Sequence, residues 1–283
     1  MIISRSTWRH TGYVLSENPL TIVAFSLFAL IVFVAVFGPM LAPYDPLASS
    51  ASRLQPPSLD HWFGTDHLGR DVLSRVMYAT RLDLTIALAA VAMGFLAGGL
   101  MGAIAGFYGG WVDSIISRGI DTIMAFPLFV LAMALVAIMG NSVENVVYAT
   151  AIINTPFYAR VARAEIGILK KSGFASAAKV AGNTDARLLA RHLFPNILPP
   201  LMVQVSLNMG WAILNAAGLS FIGVGVQPPT PEWGIMVAEG ADYIISGEWW
   251  LVLFPGLALM LAVLCFNLMG DGMRDLVDPR RRT

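Results

Sequence analysis

Charge is what this sequence has least of. Only 13% of its 283 residues are charged, against 57% apolar ones, and the mean hydropathy is +0.68. A soluble domain of this length cannot present so little charge to water, so the composition excludes that class and defines an integral membrane protein. The formal net charge is zero. That alone identifies no partner, because in a membrane protein the distribution of charge between the two sides matters more than the sum; a nucleic-acid partner is not expected. Cysteine is nearly absent too. The single Cys265 lies in an apolar run, which excludes intrachain disulfides. A nucleophile, base and orienting group never recur together at membrane depth, so a membrane-embedded hydrolase is excluded and no catalytic residue is expected. Ionisable residues at mid-membrane, which a stand-alone ion-coupled transporter requires, are missing as well.

What the chain has is long apolar runs. A polar leader, 1–18, carries Arg5 and Arg9 and is followed by the uncharged first span at 19–41, which Pro43 and Pro46 close. This run is long enough to cross a bilayer and lacks a small-residue cleavage site, so no cleavable signal peptide is expected. Segment 42–83 lies outside the membrane, its end helical. A core at 84–270 then supplies five spans: Leu84–Phe107, Ile123–Met139 with a kink at Pro127, Val146–Tyr158, Ile197–Ile222, and a last one ending near Gly270, with Trp249 and Trp250 as an interfacial belt at its start. The tail is 271–283. The expected fold is all-α and polytopic, with six transmembrane helices. Gly94, Gly98, Gly102 and Gly106 recur every four residues, the small-xxx-small spacing that lets two helix backbones approach closely. Of the 18 Lys and Arg residues, 14 fall on the side of the termini, which predicts that both termini are cytoplasmic.

The longest polar interruption with its own helical pattern is Gly173–Pro200. It reads as two short helices. Phe174, Ala177, Ala178 and Ala181 fall at i, i+3, i+4 and i+7, one narrow face with a single large side chain, while Ser176 and Lys179 point elsewhere. Gly182 ends this helix. Asn183 or Thr184 caps the next, Asp185 sits in its first turn, and Pro195 stops it. The pattern resembles the cytoplasmic EAA loop of ABC-importer permeases: Ser176, Ala177, Ala178, Gly182 and Pro195 keep its spacing, with Ser176 in place of the usual glutamate, His192 in place of isoleucine and Phe194 in place of leucine. A surface-bound basic helix without a partner is the rival reading. Three more stretches resemble the second-permease type of the peptide, nickel and opine branch. They are Gly64–Asp71 with Ser74 and Arg75, Leu219–Gly234, and the C-terminal group Asn267, Gly270, Asp271, Arg274, Asp275, Asp278, Pro279 and Arg280.

The resemblance implies the type I ABC-importer permease fold in a bacterial inner membrane. In it, 164–196 is the coupling loop, and Phe174, Ser176, Ala177, Ala178, Ala181 and Gly182 dock on an ATPase. It also implies a homologous second permease, two ATPase subunits that carry ATP and Mg, and a periplasmic or lipid-anchored solute-binding protein. No cofactor is expected on this chain beyond surrounding membrane lipid. The cargo implied is di- or oligopeptides, with nickel, opines or glutathione as alternatives.

Two look-alikes fall away on chemistry. Gly64 and Gly69 have P-loop spacing, but Arg70-Asp71 stands where Lys-Ser/Thr is required, and a carboxylate repels phosphate. Thr65 or Asp66 instead reads as a helix cap, and Asp71 with Arg75 as an i,i+4 pair. His61, Asp66 and His67 could be drawn as metal ligands, yet nothing in the sequence converges them, so no metal is expected. In the fifth span, Gln204, Asn208, Trp211 and Asn215 share one helical stripe, which suits either a water-filled path or hydrogen bonding to another helix.

Overall fold

The computed structural model describes residues 19–277. The leader and residues 278–283, with the Asp278-Pro279-Arg280 stretch, lie outside them. Ten α-helices follow in order: α1 Pro19–Leu41, α2 Val72–Tyr108, α3 Gly110–Met124, α4 Leu128–Met139, α5 Val143–Leu169, α6 Gly173–Val180, α7 Asp185–Arg187, α8 Phe194–Phe221, α9 Trp233–Ala241 and α10 Trp250–Val277. A π turn, Leu188–Leu193, joins α7 to α8. Among the described residues the only β pairing is an isolated bridge between Thr65 and Asp71.

Among the described residues, four helices are long and apolar enough to cross a membrane: α1, α2, the continuous 185–221 helix and α10. The third expected span differs from its sequence reading. Pro127 makes a right-angle elbow instead of a kink, with α3 and α4 meeting at 89°. At 12 residues, α4 is about 18 Å long, too short to cross the roughly 30 Å hydrocarbon core by itself. The fourth, α5, is longer than expected at 27 residues but less apolar, because it is enclosed by its neighbours. Thr150, Asn154 and Thr155 are buried along it, and Asn154 and Thr155 bond back to the Thr150 and Ala151 carbonyls at 2.8 Å each.

The centre of the bundle is the α2–α5 contact. A Cβ on Gly94 would lie 3.2 Å from the Ala151 oxygen and one on Gly106 2.5 Å from that of Arg163, while at Gly98 and Gly102 it would run into the oxygens of Thr155 and Ala159. Both helices thus present a four-residue repeat, and the missing side chains let backbone lie on backbone.

The chain's connections sort into two ends. At one, segment 42–71 and the start of α2 meet the 222–249 stretch and the start of α10: Trp250 Nε1 donates to Thr65 O at 3.2 Å, and Arg70 and Arg75 both reach Glu239 Oε2, at 3.1 and 3.3 Å. Asn141, after α4, donates to Gly223 O at this same end. At the other end, Lys170 Nζ donates to the Gly106 and Phe107 oxygens at 2.7 and 3.1 Å, closing the last turn of α2.

Several local expectations are corrected here. The cap of α2 is Asp71, not Thr65 or Asp66, and accepts from Ser74 N at 2.8 Å. Arg75 therefore pairs with Glu239 and, at 3.7 Å, Asp66, because Asp71 is already committed to Ser74 and to His61 Nδ1 at 2.9 Å. Trp250 is buried rather than interfacial, whereas Trp249 is exposed. Pro195 does not stop the helix. It sits in the first turn of α8, directly after the π turn has broken the i→i−4 ladder, so its missing N–H interrupts nothing.

Candidate coupling segment and polar helix face

Helix α6 hangs between the end of α5 and the start of the 185–221 helix. It is seated through small side chains: Ala175 is buried in the core with Ile166, Leu188 and Leu193, and Ala178 packs against that core half-buried. Its stop follows the Schellman pattern. Asn183 N donates to Ala178 O at 3.3 Å and Gly182 N to Lys179 O at 3.0 Å, with Gly182 at φ +84°, the left-handed region that glycine enters without a Cβ penalty. Thr184, rather than Asn183, caps the next helix, accepting from Arg187 N at 3.3 Å. Asn183 instead donates its side-chain amide to Ala178 O at 2.9 Å.

The free face is therefore rotated from the one the sequence suggests. Phe174, Ser176, Ala177 and Ala181 are exposed, Ala178 turns inward, and Val180 joins the outer face with 90% of its surface accessible. Sequence reasoning missed Val180. Its place three residues after Ala177 was the available signal, and its position about 120° around the helix from Phe174 hid it. Ser176 Oγ only returns to Ser172 O at 3.3 Å. Lys179 and Asp185 pair at 3.3 Å, both well exposed, a geometry that adds little to stability.

Two ion pairs tie α5 to α3 at this end: Arg160 to Asp121 at 2.8 Å and Arg163 to Asp113 at 2.7 Å. They flank an open polar cleft of about 750 Å³ also lined by Ser117, Lys170 and Lys171. Lys170 is engaged by the α2 carbonyls, so α6 is held to the end of α2 through only two intervening residues after the lysine.

The four-residue stripe on α8 divides. Asn208 and Asn215 are buried, Gln204 is half-buried and Trp211 is 62% exposed. Gln204 donates to Asn208 Oδ1 at 3.0 Å, and Asn215 Nδ2 donates to Trp211 O at 2.8 Å. Three of these polar atoms are thus engaged within α8 itself, while Asn208 Nδ2 is buried without a partner, and the exposed flank of the helix is Met202, Trp211, Leu214 and Phe221. Leu214 also borders an apolar groove of about 440 Å³ against α10.

At the opposite end, the oxygens of Asp66 and Glu239 and a His67 nitrogen lie within 4.8 Å of one another. Arg70 and Arg75 hold both carboxylates, so a cation there would displace a guanidinium or sit beside one; His61 is drawn away to Asp71.

Apolar helices of membrane length, a backbone-packed centre, and a small helix presented at one end place the chain among α-helical, multi-pass membrane proteins. Comparison with known proteins narrows this. Residues 98–283 match the family described as binding-protein-dependent transport system inner membrane component, and residues 6–57 match the N-terminal TM domain of oligopeptide transport permease C. The chain belongs to the first of these families, so it is an inner-membrane transport component. It is 43% identical over 279 residues to the dipeptide transport system permease protein DppC of Alkalihalophilus pseudofirmus, covering 98% of this chain and 91% of that one. It is 43% identical over 269 residues to the probable D,D-dipeptide transport system permease protein DdpC of Escherichia coli, covering 95% and 90%. With the glutathione transport system permease protein GsiD of Pectobacterium atrosepticum it shares 39% over 282 residues, covering 99% and 93%.

Proposed function

We propose that this chain is one of two homologous permease subunits of an ATP-driven importer for di- or oligopeptides, and that α6 is its coupling helix. The observation that carries the proposal is the outward face of α6, with Phe174 and Val180 exposed on a helix fixed at the bundle end by Ala175 and Gly182. The dipeptide permeases among its relatives support the cargo. GsiD favours glutathione as a second reading, itself a small peptide. ATP and Mg then belong to two ATPase subunits beneath α6, and solute arrives from a binding protein at the 42–71 end. Six crossings complete the topology, the elbowed α3–α4 pair counting as one and α5 as another. Both termini are cytoplasmic, with the basic 160–192 region on their side. The path runs beside α8, with Gln204 and Trp211 nearest to it and Asn208 and Asn215 bracing the helix behind.

Burying a whole Phe contributes about 1.5–3 kcal/mol. Phe174 is 44% exposed, so docking gains on the order of 1 kcal/mol from it by the same area argument, and Val180 adds a comparable share. The double variant Phe174→Ala/Val180→Ala should therefore lower ATPase co-purification clearly and peptide uptake with it. Gly182→Val should keep the subunit in the membrane while separating ATP hydrolysis from uptake, since its Cβ meets no neighbour within 4 Å and the damage is to the backbone angle alone. Unchanged attachment and uptake in both variants, at matched membrane levels, would show that α6 is only a surface helix.

A further inference from the structure

An apolar groove of about 590 Å³ lies at the 42–71 end, lined by Leu41 at the end of α1, Pro43 and Tyr44 just after it, Leu59, Trp62 and Phe63 of the loop, and Leu73 and Met77 of α2, with Asp60 as its one charged member. We propose that this groove takes a phospholipid acyl chain from the adjacent leaflet, and that Leu59 and Trp62 anchor the loop in the membrane interface.

Three observations choose lipid over a protein occupant. The groove continues an apolar surface: the spanning window of α1 has a mean hydropathy of 2.9 and only 22% of it is buried within this chain, a surface that hydrocarbon suits. The groove begins where α1 ends, and the seam below it is closed by Gly38 against Met77. Second, its neutral polar groups ask nothing of a ligand. Tyr44 Oη already donates to Asp60 O at 2.9 Å, and Trp62 Nε1 to Leu59 O at 3.1 Å. A protein surface arriving from water would have to give up hydrogen bonds here without replacement, and a hydrocarbon chain gives up none. Third, Leu59 is 94% and Trp62 68% exposed on a loop tied to the bundle by the tilted contact of the Tyr44 and His61 rings at 4.8 Å and by the His61–Asp71 bond. An exposed leucine and tryptophan at the level where a spanning helix ends are the residues that membrane interfaces select. The Asp60 carboxylate at the groove disfavours an anionic headgroup there, so a zwitterionic one with an ammonium group is the better match.

The test uses the full chain co-purified with its native subunits and reconstituted in phosphatidylethanolamine-containing liposomes. A nitroxide is attached to Leu59→Cys, Trp62→Cys or, as a solvent control, Ala51→Cys, each with Cys265→Ala. Relaxation by oxygen, which concentrates in hydrocarbon, is compared with relaxation by a water-soluble nickel chelate. Oxygen should dominate at 59 and 62 and the chelate at 51. Dominance of the chelate at 59 and 62 would make the groove a water-facing surface, and exclusion of both reagents would assign it to a protein partner; either result overturns the proposal. All three positions are exposed in the structure, so the labels should leave the fold intact.

Discussion

Glu232 is completely buried, and Asp83 beside it nearly so. Both carboxylates are spent on the first turn of α9: Asp83 Oδ2 accepts from Trp233 N at 3.1 Å, and Glu232 accepts from Gly234 N at 3.0 Å and Ile235 N at 2.8 Å. Backbone donors at a helix N-terminus suit negative charge. Burial nevertheless wins and pushes the Glu232 carboxyl above its ordinary range, against those N–H groups. The folded protein therefore holds this proton more tightly than the unfolded chain does. Its contribution to stability is complete below the ordinary glutamate value of about 4.3 and is lost as pH rises through the elevated folded one. Thermal unfolding of the purified chain, followed across that window, should show stability falling with pH. Glu232→Gln should flatten that fall while lowering stability at the acid end by about 1–3 kcal/mol, because an amide nitrogen then faces one of the two donors. An unaltered slope in Glu232→Gln would mean that another group sets it.

At the scale of elements, the glycines of α2 carry the most weight. A Cβ at Gly102 would meet backbone atoms of Ala159 that have no rotamer to escape into, so Gly102→Ala should cost about 1–3 kcal/mol, the usual penalty of overpacking. Gly119 on α3 is the contrasting case, with nothing within 4 Å of its Cβ position. There Gly119→Ala should be neutral or stabilise by up to about 1 kcal/mol through helix propensity. Equal unfolding temperatures for the two variants would argue against backbone contact between α2 and α5. The glycine spacing was legible because a four-residue repeat in an apolar run has few other uses. The same holds for the break at Gly182 and for the bounds of α1. Proline was less legible. Pro127, Pro195 and Pro156 each lack one N–H in the same way, but their outcomes are an elbow, a position in a first turn and a continuous helix. Tertiary neighbours decide among these, and local chemistry does not encode them. Trp250 likewise looked interfacial beside Trp249 until the fold brought Thr65, 185 residues earlier, to its indole.

For the whole molecule, what matters is how the two ends communicate. One continuous helix from Asp185 to Phe221 links the exit of α6 to the loop that carries Glu232, so under the proposed function it is the shortest connection between the ends. A helix reads as a stripe in one dimension, and spacing alone puts Gln204, Asn208, Trp211 and Asn215 on one stripe of this helix. What spacing could not say is which way that face turns, because asparagine serves equally well in a wet path and in a bond to its own helix. The structure turns Asn208 and Asn215 inward and leaves Trp211 and Leu214 outside. If the α8 flank borders the path between two permeases, a cysteine replacing Trp211 should react with a water-soluble maleimide to an extent that changes when the assembled transporter is trapped with ATP and vanadate. Asn208→Cys and Asn215→Cys, both on Cys265→Ala, should stay inert in either state because core atoms cover them. Cysteine at Leu214 separates the remaining possibilities: protection in the intact complex and reactivity in the isolated subunit place the second permease over this flank. Constant labelling of Trp211→Cys by a membrane-soluble maleimide alone, in every state, would instead give the flank to lipid and move the path away from α8.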